Sequence, residues 1–115
     1  MLVKSKLPRK KSLKSKLEID SLLNNGHKLS GDLCILFFSA AKEFKFATLV
    51  GRKLGNAVER NRIKRLYKEA VRVNYQQLID DSYIAILPKK SSKRATFEHI
   101  NAEISELFKQ INNMA

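Results

Sequence analysis

The ten residues from Asn56 to Arg65, NAVERNRIKR, hold the side chains best suited to chemistry, because Arg60-Asn61-Arg62 is followed at once by Ile63-Lys64-Arg65. A globular core has no use for such a run of cations. Planar guanidinium groups match phosphate oxygens in forked, two-bond geometry better than they match a diffuse ion cloud. The chemistry on offer is therefore phosphate binding, and the run reads as an RNA-docking surface.

Bond-making groups are scarce elsewhere. His27 and His99 are far apart and lack Cys or His partners at metal spacing, which argues against zinc. Glu103 and Glu106, three apart, read as the solvated face of a helix, and Asp80-Asp81 as a turn. Gly51 and Gly55 bracket Arg52-Lys53-Leu54 without the Gly-Lys-Ser/Thr ending of a phosphate-binding loop. The single cysteine, Cys34, sits in the apolar run 33–38 and reads as a packed strand thiol in a chain expected in a reducing, cytoplasmic compartment. An autonomous nuclease would need more than these groups supply.

The whole chain carries 23 Lys and Arg against 11 Asp and Glu, a formal net charge of +12 over 115 residues. Charge alone does not choose between RNA, DNA and an anionic membrane. The charges are concentrated, however, with 19 of the 23 in three segments: 1–17, 52–72 and 89–94. If about six of them met phosphates, log affinity would fall with log salt at a slope of roughly −4 to −5. Six apolar residues in a row fall far short of the roughly 20 that cross a bilayer, so no membrane span is expected.

Around the docking run, the elements follow from periodicity. Residues 1–16, rich in Lys and lacking an apolar segment, are expected to form a basic flexible arm, and 17–115 a single RNA-binding domain. Ile19, Leu22 and Leu23 give a short first helix that stops at Asn24-Asn25-Gly26, and Lys28 to Asp32 reads as a polar turn. Leu33 to Ser39 and Phe44 to Val50 read as strands, with Cys34, Leu36 and Phe38 opposite Leu33, Ile35 and Phe37. Asn56 is placed to cap a helix running to about Tyr75 with the stripe Ile63, Leu66, Tyr67, Ala70 and Val71. A strand over 83–87 ended by Pro88, a basic loop over 89–94, and a last helix capped by Thr96 complete an α+β pattern.

At about 100° per residue from Ile63, the side chains of Lys64, Lys68, Asn61, Arg72 and Arg65 spread over roughly 100° to 200°, opposite the stripe. Arg60 and Arg62 fall on its two borders, about 160° apart, and so would grip different phosphates. Glu69 is spaced to pair with Arg65.

The segment FKFATLVGRKLGNAVERNRIKRLYKEAVR closely resembles the signature of the protein subunit of bacterial ribonuclease P, and the surrounding element order matches over essentially the full length. The resemblance implies a single-domain α/β sandwich of about four strands and three helices, like the second domain of ribosomal protein S5. It also implies a left-handed crossover between two parallel strands, against the roughly 98% right-handed norm. It implies that the catalyst is the RNA subunit, which uses Mg²⁺ to hydrolyse precursor tRNA and release its 5′ leader, while the protein alone is inactive.

By position, the resemblance assigns Arg52, Lys53, Asn56, Arg60, Asn61, Arg62, Lys64, Arg65 and Lys68 to the RNA subunit, and Ile19, Leu23 and Phe37 to a cleft for the leader. Arg9, Lys10, Lys11, Lys89 and Lys90 would add phosphate contacts in a one-to-one protein–RNA assembly. Family members often carry aromatics where this chain has Ile19 and Leu23, and a serine where it has Gly51. The rival readings are a ribosomal or general RNA-binding protein, with no gain in precursor cleavage, and a helix-turn-helix DNA binder, which needs a second helix before the basic one.

Overall fold

Two long amphipathic helices need an apolar surface to cover, and a mixed sheet supplies it. The computed structural model describes residues 11–114. In chain order these form helix α1 (Lys16–Asn25), strands β1 (His27–Ser30), β2 (Cys34–Ala40) and β3 (Lys45–Thr48), helix α2 (Ala57–Asn74), strand β4 (Ser82–Pro88) and helix α3 (Phe97–Met114). Short 3-10 turns cover Arg52–Leu54, Tyr75–Gln77 and Lys90–Arg94.

The four strands lie in the order β1-β2-β4-β3, antiparallel except for the parallel β3–β4 pair that α2 connects. Strict alternation sorts the core into two. Cys34, Leu36, Phe38, Phe46, Ile84 and Ile86 face α2 and α3, meeting Ile63, Tyr67, Val71, Ile100, Ile104 and Phe108. Phe37, Ala47, Tyr83, Ala85 and Leu87 face the other way, where α1 lays Ile19, Leu22 and Leu23 over them. Leu13 is buried with this second cluster, and its N–H donates to the Phe46 carbonyl at 2.8 Å, so the chain is anchored on the outer edge of β3 just before α1.

The segment read as a polar turn over Lys28–Asp32 is instead mostly strand: β1 pairs with β2 from His27↔Phe38 to Ser30↔Ile35. The sequence hid it because β1 is an edge strand with only Leu29 half-buried, leaving no apolar alternation to detect. Glu103 also departs from the expected solvated face. Its carboxylate accepts the backbone N–H groups of Asp32, Leu33 and Cys34 at 2.8–3.1 Å, pinning the β1–β2 turn to α3. A side chain at Gly31 would collide with that carboxylate.

The same turn is clamped from two more directions. Tyr67 of α2 and Ser92 share a 2.7 Å hydrogen bond, and both hydroxyls lie within reach of the Leu33 carbonyl, at 3.2 and 2.7 Å. Burial pushes the Tyr67 phenol and the Cys34 thiol well above their ordinary ranges, so both stay neutral. Because an unsatisfied buried N–H costs roughly 1–3 kcal/mol, Glu103→Ala should lower stability by about 2 kcal/mol or more in urea denaturation. An unchanged midpoint would show that the turn holds without α3.

Candidate nucleic-acid interface

The basic helix is aimed by its first turn. Gly55 adopts φ 121°, a conformation that L side chains rarely adopt, and a Cβ there would strike the Glu59 side chain. This tight turn delivers Asn56 to the N-cap, where its Oδ1 accepts from the Glu59 N–H and Glu59 Oε1 accepts from the Asn56 N–H, both at 2.9 Å. The reciprocal cap satisfies two donors that a helix start otherwise leaves bare. Asn56 is thus committed through its oxygen to the helix, with its amide N–H groups still facing solvent.

From that start, α2 buries Ile63, Tyr67, Ala70 and Val71 and exposes Asn61, Arg62, Lys64, Arg65 and Lys68. Arg52 and Lys53 are exposed on the preceding turn. The two arginines of the motif part as their angular positions require. Arg60 is half-buried with its Nε lacking a partner, while Arg62 is exposed and its Nη2 donates to the Ala95 carbonyl at 3.2 Å.

Electrostatic availability is the deciding property. Among the described residues the ion pairs are Lys45–Glu43 and Arg72–Glu69, neither of which takes a cation from the docking set. Glu69 does not pair with Arg65, as its spacing suggested, but with Arg72 through a two-bond fork. That hydrogen bonding holds the Glu69 carboxyl below its usual range and leaves Arg65 outward. Among the described residues of the ridge, Arg72, on its far part, is therefore the cation paired with a carboxylate.

The cleft residues also come together. Ile19, Leu23 and Phe37 are each half-buried in the cluster between α1 and the sheet. Beside them runs an open groove of about 500 Å³, lined by Leu13, Lys14 and Ile19, by Ala47, Thr48 and Leu49, and by Lys64 and Lys68 of α2. Sequence reasoning set the helix surface and the cleft apart, yet α2 lends two lysines to the groove. Lys14 and the Thr48 hydroxyl, which is buried without a hydrogen-bond partner, were not singled out. Only the pairing of Leu13 with β3 brings Lys14 there.

The outlying phosphate candidates differ in availability. Lys89 Nζ donates to the Gly31 carbonyl at 2.6 Å and to Ser30 Oγ at 3.1 Å, which leaves one of its three donors. Lys90 is exposed and Lys11 half-buried. Arg9 and Lys10 lie outside the described residues. Among the described residues no group of three or more His, Cys, Asp or Glu is placed to hold a metal, and no helix is long and apolar enough to cross a membrane.

Comparison with known proteins bears on this geometry. Residues 7–112 match the family model described as Ribonuclease P. The ribonuclease P protein component of Fusobacterium nucleatum is 32% identical over 104 residues, covering 85% of this chain and 94% of that one. The corresponding protein of Clostridioides difficile is 31% identical, covering 89% and 92%. Two solved structures share the fold at 22–23% identity: the RNase P proteins of Staphylococcus aureus (TM-score 0.78, covering 88% of this chain and 94% of that one) and Thermotoga maritima (TM-score 0.78, 86% and 96%).

The helix start can be tested alone. Asn56→Ala should lower stability by about 1 kcal/mol, and Asn56→Asp should restore most of it, in denaturant titrations of the free protein. Equal midpoints for all three proteins would show that the cap does not fix α2.

Proposed function

The chain belongs to the ribonuclease P protein family and works with the RNA subunit of that tRNA-processing ribonucleoprotein, and on that premise we propose how its two surfaces divide the work. The α2 ridge, with Arg52, Lys53, Arg60, Asn61, Arg62 and Arg65, docks on phosphates of the RNA subunit, while Lys64 and Lys68, on its border with the groove, serve the leader instead. The groove beside α1 receives the single-stranded 5′ leader of precursor tRNA. The observation that carries this reading is the ridge of cations without carboxylate partners among the described residues.

Positioning, not bond making, is the protein's part. Fixed cations between two polyanions offset their repulsion and hold phosphates in the geometry that divalent ions need. We assign the Mg²⁺ that hydrolysis uses mainly to the RNA subunit, a reading that rests on membership of the family. The protein by itself is accordingly inactive, it joins the RNA one to one, and it acts in the cytoplasm where precursor tRNA is made.

Leader binding here leans on charge. An aromatic platform contributes roughly 1–3 kcal/mol per stacked base, and Ile19 and Leu23 supply apolar contact only. Phe37 is the one ring of the three, half-buried beneath α1. Lys14, Lys64 and Lys68 along the groove would supply the remaining affinity through leader phosphates.

Reconstitution tests both assignments. Mixed with a bacterial catalytic RNA and precursor tRNA at low Mg²⁺, the protein should accelerate cleavage, and Arg60→Ala with Arg62→Ala should remove much of that gain. Lys64→Ala with Lys68→Ala should narrow the difference in affinity between precursors with and without a leader. Unaltered cleavage in the arginine variant would contradict the ridge assignment, as would cleavage by the protein free of RNA contradict its accessory role.

A further inference from the structure

The turn Lys90–Arg94 carries, beside the phosphate candidate Lys90, two cations that the division above leaves without a task, Lys93 and Arg94. It is pinned at Ser92, which is fully buried and hydrogen-bonded to Tyr67 and to the Leu33 carbonyl, while Lys90, Lys93 and Arg94 are exposed. The turn packs against both α2 and the Arg52–Leu54 turn. Between it and α2 opens a groove of about 180 Å³ lined by Glu59, Arg62, Ile63 and Lys93.

We propose that Arg62 and Lys93 form a phosphate clasp that grips the backbone of the folded RNA subunit, on the flank of α2 away from the leader groove, with the exposed Arg94 adding its charge from the same turn. This rests on the reading of α2 as the RNA-subunit surface. Arg62 is held toward the turn by its bond to the Ala95 carbonyl, so its guanidinium and the Lys93 ammonium approach one space from two elements. Glu59, the acid of that groove, has one oxygen engaged by the Asn56 N–H. No ring lines the groove, so it suits phosphate and not an unstacked base. Its walls belong to the α2 and α3 side of the sheet, whereas Ile19, Leu23 and Phe37 occupy the other face.

The clasp also explains why Arg60 and Arg62 diverge. Near 60° and 260° on the helix, about 160° apart, each meets a different flank. Arg60 falls on the side of Lys64 and Lys68, and Arg62 on the side of the turn. One motif thereby serves two surfaces, with Asn61 and Arg65 on the crest between them.

The test is equilibrium binding of full-length protein to a bacterial ribonuclease P RNA over a salt series, followed by precursor binding to the reconstituted complex. Lys93→Ala with Arg94→Ala should weaken RNA-subunit binding about tenfold at low salt and reduce the log–log salt slope by roughly 2. The ratio of affinities for leader-bearing and leaderless precursor should stay as in the unaltered protein. Lys93→Arg with Arg94→Lys should keep most of the binding, since charge and reach persist.

Unchanged affinity and slope in the alanine variant would overturn the clasp, and so would a loss confined to leader-bearing precursor. Should the unaltered protein itself fail to bind the RNA with a salt-dependent affinity, the reading of α2 falls first. Normal binding by the unaltered protein beside an indifferent variant rejects the clasp alone.

Discussion

Packing of Ile63, Tyr67, Ala70 and Val71 against the sheet is what allows α2 to hold a line of like charges. Each large apolar side chain buried there contributes roughly 1.5–3 kcal/mol, whereas a like-charge pair one helical turn apart costs only a few tenths. Burial therefore outweighs repulsion, and the ridge exists before any RNA arrives. The unneutralised cations are then available without further ordering of the backbone, because the helix that carries them is already held from behind.

That same packing ties the ridge to the rest of the domain. Tyr67 reaches through the core to the Leu33 carbonyl and to Ser92, Glu103 reaches the same turn from α3, and Lys89 closes it from beyond β4. The β1–β2 turn is in effect the point where both long helices and the basic turn are registered against one another. At the outer edge of β3, α1 and the anchored segment at Leu13 build the groove that Lys64 and Lys68 border. The domain thus sets its cationic helix between two grooves, one at the edge strand β3 and one beside the Lys90–Arg94 turn.

Much of this was legible in the residues. The stripe of α2, its Asn56 cap, the alternation of β2 and the burial of Cys34 all follow from local periodicity, which the core imposes on sequence directly. β1 was not legible, because an exposed edge strand carries no apolar pattern. Glu103 looked like any acid on an amphipathic helix, since the three N–H groups that recruit it lie 69 to 71 residues away. The choice of Arg72 over Arg65 by Glu69 turned on rotamers that spacing does not encode, both being within one turn. The meeting of Lys14 with Lys64 likewise depends on where the chain crosses β3, a tertiary fact.

The central claim is that the crest of α2 faces the RNA subunit, and tethered cleavage addresses it most directly. The chain has a single cysteine, Cys34, which is fully buried with a thiol held well above its ordinary range by that burial, so an introduced cysteine is the reactive one. An iron chelate would be attached at Asn61→Cys on the crest or at Glu106→Cys on the exposed face of α3, and each protein assembled with a bacterial ribonuclease P RNA. Strand breaks in the RNA from position 61 and none from position 106 are the expected result. Breaks from 106 with none from 61 would contradict the account.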